Sequence, residues 1–100
     1  MIISHGTLSA PEAHAGAVRD LLRAIASATR KEQGCTLYLV SENLEQSGHF
    51  LITEHWDTMA DMQTHLALPA VGEAVAAVHG MGVSDLTITA YEGGAATKIM

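Results

Sequence analysis

The chain has 100 residues, of which 48% are hydrophobic and 16% are charged, and its formal net charge at pH 7 is −6. A single domain of this length has a small core and a large surface, so the small number of charged residues predicts that some apolar surface is buried against a second copy. Only five lysines and arginines are present, which argues against nucleic acid as a partner because phosphate neutralisation needs clustered positive charge.

The sequence contains one cysteine, Cys35. A single cysteine forms no internal disulfide, which fits a reducing compartment. The first residues, 1–5, lack a basic region followed by an apolar run, so they do not read as a signal peptide. No stretch reaches the roughly 18 apolar residues of a membrane span. These features predict a cytoplasmic protein with no membrane partner.

The first strand and helix are predicted from the N-terminal third. Ile2–Leu8 reads as a strand, and residues 9–12 (SAPE) match a capping box with a proline in the first helical turn. The helix that follows should end near Glu32, before Gly34. Its buried face is predicted from the i, i+3, i+4, i+7 spacing of Val18, Leu21, Leu22, Ile25 and Thr29.

Two central strands are predicted at Cys35–Glu42 and Gly48–Trp56, joined by a polar hairpin loop at 43–47. Both strands carry apolar residues on both faces, whereas a half-exposed antiparallel strand alternates apolar and polar residues. The pattern therefore indicates that both faces of the sheet are covered. The helices of the chain can cover one face, and the sheet of a second copy is the simplest cover for the other.

The C-terminal half predicts two helices and a last strand. Asp57 or Thr58 caps a short helix, and Pro69 begins another that carries a valine stripe and ends at 80–82 (GMG). Leu86–Tyr91 alternates as a strand, which leaves 93–100 as a tail or swapped arm after a domain at 1–92. The order β-α-β-β-α-α-β is that of an α+β ferredoxin-like unit. Two such units can pack sheet against sheet into a dimeric α+β barrel.

Several kinds of site are disfavoured by spacing. The six histidines show no H-x-H or H-x-x-x-H pattern, so no metal site is predicted. There is no glycine-rich phosphate loop, which argues against a nucleotide or flavin. Cys35 has no nearby cation in the sequence to lower its pKa, which argues against a nucleophilic cysteine.

Trp56 and Glu54 are the first candidate site residues. Trp56 shares strand parity with the apolar residues of its strand, so it is either a core side chain under the helices or the wall of a flat pocket for an aromatic ligand; the two are compatible. Glu54 lies on the same face, where an unpaired carboxylate would be costly to bury. It either bonds a nearby polar group or reaches water at the strand end.

His65 is the candidate general base. It follows Asp61 by four residues, so the two share a helical face and could hydrogen-bond; a boundary histidine without catalytic role is the simpler alternative. An imidazole is suited to deprotonating a phenol or quinol near neutral pH. Tyr38 and His5 come from strands that could line the same cavity, although each could equally be packed or exposed at an edge.

Three segments resemble the antibiotic biosynthesis monooxygenase (ABM) domain family. They are 32–38 (EQGCTLY), 50–56 (FLITEHW) and 65–69 (HLALP), where family members usually read E-x-G-C-x-x-Y, a strand ending E-x-W, and A-H-L-x-[ST]-P. The resemblance implies a dimeric α+β barrel with a pocket between sheet and helices in each subunit. Relatives that degrade haem carry Asn, Trp and His where this chain has His5, His65 and Val75, so haem degradation is disfavoured.

The resemblance also implies a function. Several relatives oxidise quinols or polyketide phenols with O2 and use no metal, flavin or haem, because the substrate supplies its own electrons. On this basis we expect no cofactor, with His65 as base and with Trp56, Tyr38, Glu54 and His5 binding a small aromatic substrate. The same fold also serves isomerases and non-catalytic ligand-binding or interaction dimers, which remain alternatives.

Overall fold

The computed structural model describes residues 1–100 and contains four β-strands and three α-helices. The strands are β1 (Ile2–Ser9), β2 (Cys35–Glu42), β3 (His49–Trp56) and β4 (Ser84–Glu92), and the helices are α1 (Ala15–Thr29), α2 (Met59–Leu66) and α3 (Pro69–Gly80). The strands form one antiparallel sheet in the order β2-β3-β1-β4. This topology confirms the predicted α+β ferredoxin-like fold.

The start of α1 differs from the prediction. Ser9 is still part of β1, where it pairs with His49, so it does not cap a helix. The chain instead passes Pro11 and makes a 3-10 turn at Glu12–His14, and no side chain caps either the turn or α1. The predicted apolar stripe is confirmed in outline: the buried side chains of α1 are Ala15, Val18, Leu22, Ala26 and Thr29, with Leu21 and Ile25 half-buried beside them.

The core lies on one face of the sheet, beneath α1 and α3. Its sheet residues include Leu8, Tyr38, Phe50 and Ile52. The opposite face has no cover within the chain, and the exposed fractions there reach 49% for Leu39 and 61% for Tyr91. The apolar residues predicted on that face are therefore present and at least partly exposed to solvent.

Helix α3 covers the sheet incompletely. Of the predicted valine stripe, only Val78 is buried; Val71 is half-buried and Val75 is exposed. Ile88 of β4 pairs with Gly6 of β1 on the helix-covered face and is also exposed. A space therefore remains between α3, α1 and the sheet.

The chain beyond β4 contains no helix or strand. The Gly93 N–H donates a 2.7 Å hydrogen bond to the carbonyl oxygen of Met1, which ties the beginning of this segment to the start of β1. The division into a domain at 1–92 and an arm at 93–100 stays a prediction. None of the helices combines the length and the apolar character that crossing a membrane requires.

Candidate functional site

The strand register aligns three polar side chains across the helix-covered face of the sheet. Glu54 of β3 pairs with Tyr38 of β2 on one side and with Ser4 of β1 on the other. All three are buried. Because residues paired across antiparallel strands project from the same face, the sequence folds into a polar row within an otherwise apolar core.

Glu54 is held by Trp56, two residues further along the same face of β3. The Trp56 Nε1–H donates a 3.0 Å hydrogen bond to Glu54 Oε1. The exposed fraction is 2% for Glu54 and 0% for Trp56. Of the two alternatives for Glu54, the structure therefore shows the carboxylate bonded to a nearby polar group.

Trp56 is a core side chain, the first of its two predicted alternatives. It does not form the wall of the cavity between the helices and the sheet. Its indole is enclosed by Met62 of α2 and Ile2 of β1, because α2 follows directly after β3 and folds over the strand end. The side chain has no accessible surface left with which to contact a ligand ring. Its contact with the site is indirect, through Glu54 and through the His65 ring, whose centroid lies 5.0 Å away.

His65 is buried, and its hydrogen-bond partner is Glu32, not the predicted Asp61. His65 Nδ1 lies 2.8 Å from Glu32 Oε1. Asp61 instead accepts a 3.0 Å hydrogen bond from Thr58 Oγ1, and its own N–H donates to Thr58 Oγ1, so Asp61 belongs to the N-terminal cap of α2. Thr58 is one of the two residues, Asp57 or Thr58, that the sequence predicted as this cap.

The Glu32 contact determines which His65 nitrogen carries a proton. An ionised carboxylate only accepts hydrogen bonds, so Nδ1 is the donor. In the neutral imidazole Nε2 is then left as the acceptor. In its neutral form His65 can therefore accept a proton at Nε2.

Two spaces meet at His65. An inner cavity of about 70 Å³ lies between the helices and the sheet, and its polar lining comes from Tyr38, Glu54 and His65. An outer groove of about 410 Å³ runs between α1 and α3, and its polar lining residues are Thr29, Glu32, His65 and Glu73. The rest of both linings is mostly apolar. Such an apolar space with a few convergent polar groups is typical of small-molecule sites.

His5 is separate from this group. It pairs with Thr53 of β3 and Thr89 of β4 and alternates with the buried Ser4 and Gly6, so it projects from the open face of the sheet and is exposed. The expectation that His5 shares the cavity is corrected, because the period of two along β1 directs Ser4, and not His5, toward the helix-covered face of the sheet.

The burial of Tyr38 affects its chemistry. Burial, and then the charge of Glu54, raise the pKa of the Tyr38 phenol far above its ordinary value of 10.0. The phenol therefore stays protonated near neutral pH and can act as a hydrogen-bond donor. Burial likewise raises the pKa of the Cys35 thiol, so Cys35 is not activated as a thiolate.

Two polar residues of the site were missed by the sequence reasoning. Glu32 was placed as the end of a helix and as the first residue of the family segment at 32–38, but no spacing signal links it to His65, 33 residues away. Ser4 could have been found from its strand parity with the apolar residues Ile2 and Leu8 of β1; its Oγ is buried with no hydrogen-bond partner. No group of three or more His, Cys, Asp or Glu side chains is arranged to hold a metal ion.

The fold and the buried polar cavity define a small ferredoxin-like α+β protein with a site between its sheet and helices. The family model described as antibiotic biosynthesis monooxygenase matches residues 1–77, and the chain belongs to this family. A Deinococcus radiodurans protein assigned to antibiotic biosynthesis monooxygenase is 62% identical; the match covers 100% of this chain and 99% of that chain with a TM-score of 0.98. The predicted family resemblance is confirmed.

More distant structures show the same fold. A Pseudomonas aeruginosa protein is 22% identical, with 94% of each chain covered and a TM-score of 0.84. A Mycobacterium tuberculosis protein is 21% identical, with coverage of 98% of this chain and 100% of that chain and a TM-score of 0.81. None of the curated proteins matches the sequence. Family membership and the Deinococcus relative support a general monooxygenase-like function.

Proposed function

We propose that the protein is a monooxygenase that oxidises a quinol or phenolic substrate with O2 and needs no metal or organic cofactor. The observation that carries this proposal is the Glu32–His65 pair, which leaves the imidazole Nε2 as a proton acceptor beside an apolar cavity. The opposite polar wall carries Tyr38 and Glu54. This arrangement fits a substrate whose activation begins with loss of a phenolic proton.

Deprotonation is the step that the chain's own residues perform. His65 Nε2 accepts the phenolic proton, and the Glu32 carboxylate stabilises the imidazolium that forms. The Tyr38 hydroxyl, which stays protonated, donates a hydrogen bond to the developing oxyanion. Glu54, held by Trp56, accepts a hydrogen bond from the second hydroxyl group of a quinol. The apolar walls exclude bulk water from the electron-rich ring.

The electron balance needs no further reductant. The phenolate transfers electrons to O2, and a carbon–oxygen bond forms to give a peroxy adduct. The adduct then loses the proton on that carbon as its O–O bond breaks, so that one oxygen atom stays on the ring as a hydroxyl or carbonyl group and the other leaves as water. A quinol and O2 thus give a hydroxyquinone and one water molecule, and the substrate supplies all of the electrons.

Oxygen uptake with a panel of quinols, in the presence and absence of a metal chelator, tests this proposal. We expect uptake that the chelator does not change. His65→Gln should reduce the rate by about a hundredfold or more, the usual contribution of a general base. The matched control is His79→Gln, which changes an exposed histidine of α3. No uptake with any quinol, or full activity of His65→Gln, would contradict the proposal.

An isomerase is the second candidate function. The observation in its favour is that two groups able to exchange protons, His65 and Glu54, line the same inner cavity, so one could remove a proton and the other return it. An isomerase would turn over without O2, and a ligand-binding dimer would bind with no turnover. Repeating the assay under anaerobic conditions separates these activities from the monooxygenase.

We also propose a homodimer that forms through the open sheet face and resides in the reducing cytoplasm. Members of this family are typically small dimeric proteins, and Leu39 is half-exposed on that face. Leu39→Glu should yield a monomer in size-exclusion chromatography with light scattering, because a charge would be buried in the interface. The control Leu44→Glu changes a fully exposed leucine of the hairpin loop.

Deleting 93–100 tests whether the arm strengthens the dimer; an unchanged dissociation constant would show that it does not.

A further inference from the structure

We propose that the groove between α1 and α3 binds an apolar side chain carried by the substrate ring, and that the substrate has no anionic group on this chain. The inference deepens the proposed function, because it places the ring in the inner cavity next to His65. Its subject is the class of substrate: a neutral phenol or quinol with an alkyl or prenyl-like tail.

The groove is polar at its end near His65, and Glu73 adds a further carboxylate to its α3 wall. Helices α1 and α3 lie antiparallel, as shown by Gly82, which follows α3, packing near Pro11, which precedes α1. Glu32 and Leu68 therefore mark the polar end near His65, while Leu21 and Ala77 mark the far end. From Leu21 to Thr29 the wall of α1 spans about 12 Å at 1.5 Å per residue.

Small side chains create the space. Five of the lining positions are alanines, two on α1 and three on α3: Ala24, Ala28, Ala70, Ala74 and Ala77. Larger residues at these positions would fill the groove and bring apolar atoms of the two helices into contact. The helices instead leave about 410 Å³ open between them, which is within the range of small-molecule sites.

The groove is continuous with the inner cavity. Ile25, His65, Val71 and Ala74 line both spaces. The inner cavity alone, at about 70 Å³, is far smaller than the usual range for a ligand site. A ligand anchored near His65 therefore extends into the groove, since this is the larger apolar space that adjoins the same side chain.

The charges of the lining indicate what the tail lacks. The carboxylates around the two spaces are Glu32, Glu54 and Glu73, and neither lining includes a lysine or an arginine. Arg19 on α1 is instead paired with Glu42. A carboxylate or phosphate on the tail would find no positive partner and would face like charge, which disfavours its binding.

Equilibrium binding of three phenols to the full chain tests the inference without any turnover. The probes are para-methylphenol, para-hexylphenol and a para-hexylphenol analogue whose chain ends in a carboxylate, and the readout is the heat of binding in isothermal titration calorimetry. We expect hexylphenol to bind about tenfold or more tightly than methylphenol, since its added methylene groups are buried. The carboxylate analogue should lose this gain.

Two variants of α3 locate the effect. Ala77→Trp fills the far end of the groove, whereas Ala76→Trp places the same side chain at a neighbouring exposed position outside it. The ratio of the methylphenol to the hexylphenol dissociation constant should fall to about one in Ala77→Trp and stay near the parent value in Ala76→Trp. Thermal unfolding of both variants checks that each is folded.

Three kinds of result would overturn the inference. Equal affinities for methylphenol and hexylphenol, or a gain that survives in Ala77→Trp, would show that no tail enters the groove. A carboxylate analogue that binds as tightly as hexylphenol would refute the charge argument. A change of oligomeric state in Ala77→Trp without a change in the ratio would assign the groove to a second copy. The predicted affinity order with no O2 uptake from any quinol would uphold the groove and reject the proposed chemistry.

Discussion

The carboxylate of Glu32 holds the imidazole of His65, with 2.8 Å between Glu32 Oε1 and His65 Nδ1. Glu32 lies in the turn after α1 and is partly open to solvent, whereas His65 on α2 is buried. The contact therefore joins two elements at the polar end of the groove and orients the ring on which the proposed chemistry depends.

Replacing the carboxylate by an amide tests the role of this contact. Glu32→Gln keeps an oxygen that accepts from His65 Nδ1 but removes the charge that stabilises the imidazolium. We expect kcat for quinol oxidation to fall about 10- to 100-fold while KM changes little. The control is Glu45→Gln in the exposed hairpin loop. An unchanged kcat in Glu32→Gln would show that the pair has no part in proton transfer.

The Trp56–Glu54 hydrogen bond should be visible as coupling in stability. Trp56→Phe leaves a buried carboxylate without its donor, which costs about 1–3 kcal/mol in the free energy of unfolding, in addition to the lost volume. In a Glu54→Gln background the same substitution should cost less, because no charge is left unpaired. Urea unfolding of the four proteins of this cycle gives the coupling energy. Costs that simply add, within about 0.5 kcal/mol, would contradict the inferred bond.

The raised pKa of Tyr38 has a consequence at alkaline pH. A group whose pKa is higher in the folded than in the unfolded state stabilises the fold below the unfolded value, here 10.0, and loses that contribution as the pH rises above it. In a Tyr91→Phe background, where Tyr38 is the remaining tyrosine, phenolate absorbance should appear only well above the ordinary value.

The matching stability measurement compares that protein with the Tyr38→Phe/Tyr91→Phe double variant. The free energy of unfolding should fall more steeply between about pH 9 and pH 11 when Tyr38 is present. Parallel curves, or phenolate absorbance that rises around the ordinary pKa, would mean that the Tyr38 phenol reaches water.

Gly34 connects the end of the α1 turn to β2 and should not tolerate a side chain. Its φ is +81°, and an added Cβ would clash with the carboxyl group of Asp61. We expect Gly34→Ala to destabilise the fold by at least about 1 kcal/mol. The control Gly72→Ala, in α3 with open space around it, should instead stabilise by about 0.5–1 kcal/mol. Equal unfolding midpoints for the two variants would contradict this difference.

Local signals predicted most of the fold. The bounds of β2 agree with the prediction at both ends, and the cap of α2 is Thr58, one of the two residues predicted for it. The capping box at 9–12 failed because cross-strand pairing kept Ser9 in β1. A tertiary interaction outweighed a local preference at that point.

Within the site, the sequence predicted correctly that some polar residues are buried. It was less successful in predicting their hydrogen-bond partners. Glu54 and His65 were identified from parity and helical spacing, but Asp61 was paired with His65 because only neighbours four residues apart are visible in a helix pattern. The true partner, Glu32, is brought in by the packing of α1 against the sheet, which no local spacing encodes.

The sequence by itself determined the family, the order of the elements and the apolar character of both sheet faces, because these depend on motifs and on periods of two and 3.6 residues. Only the tertiary structure decided that Glu32 hydrogen-bonds to His65, that the Trp56 indole donates a hydrogen bond to Glu54, and that His5 faces away from the cavity. Those relationships depend on strand register and on how the helices cross the sheet, which are set by packing between residues far apart in the chain.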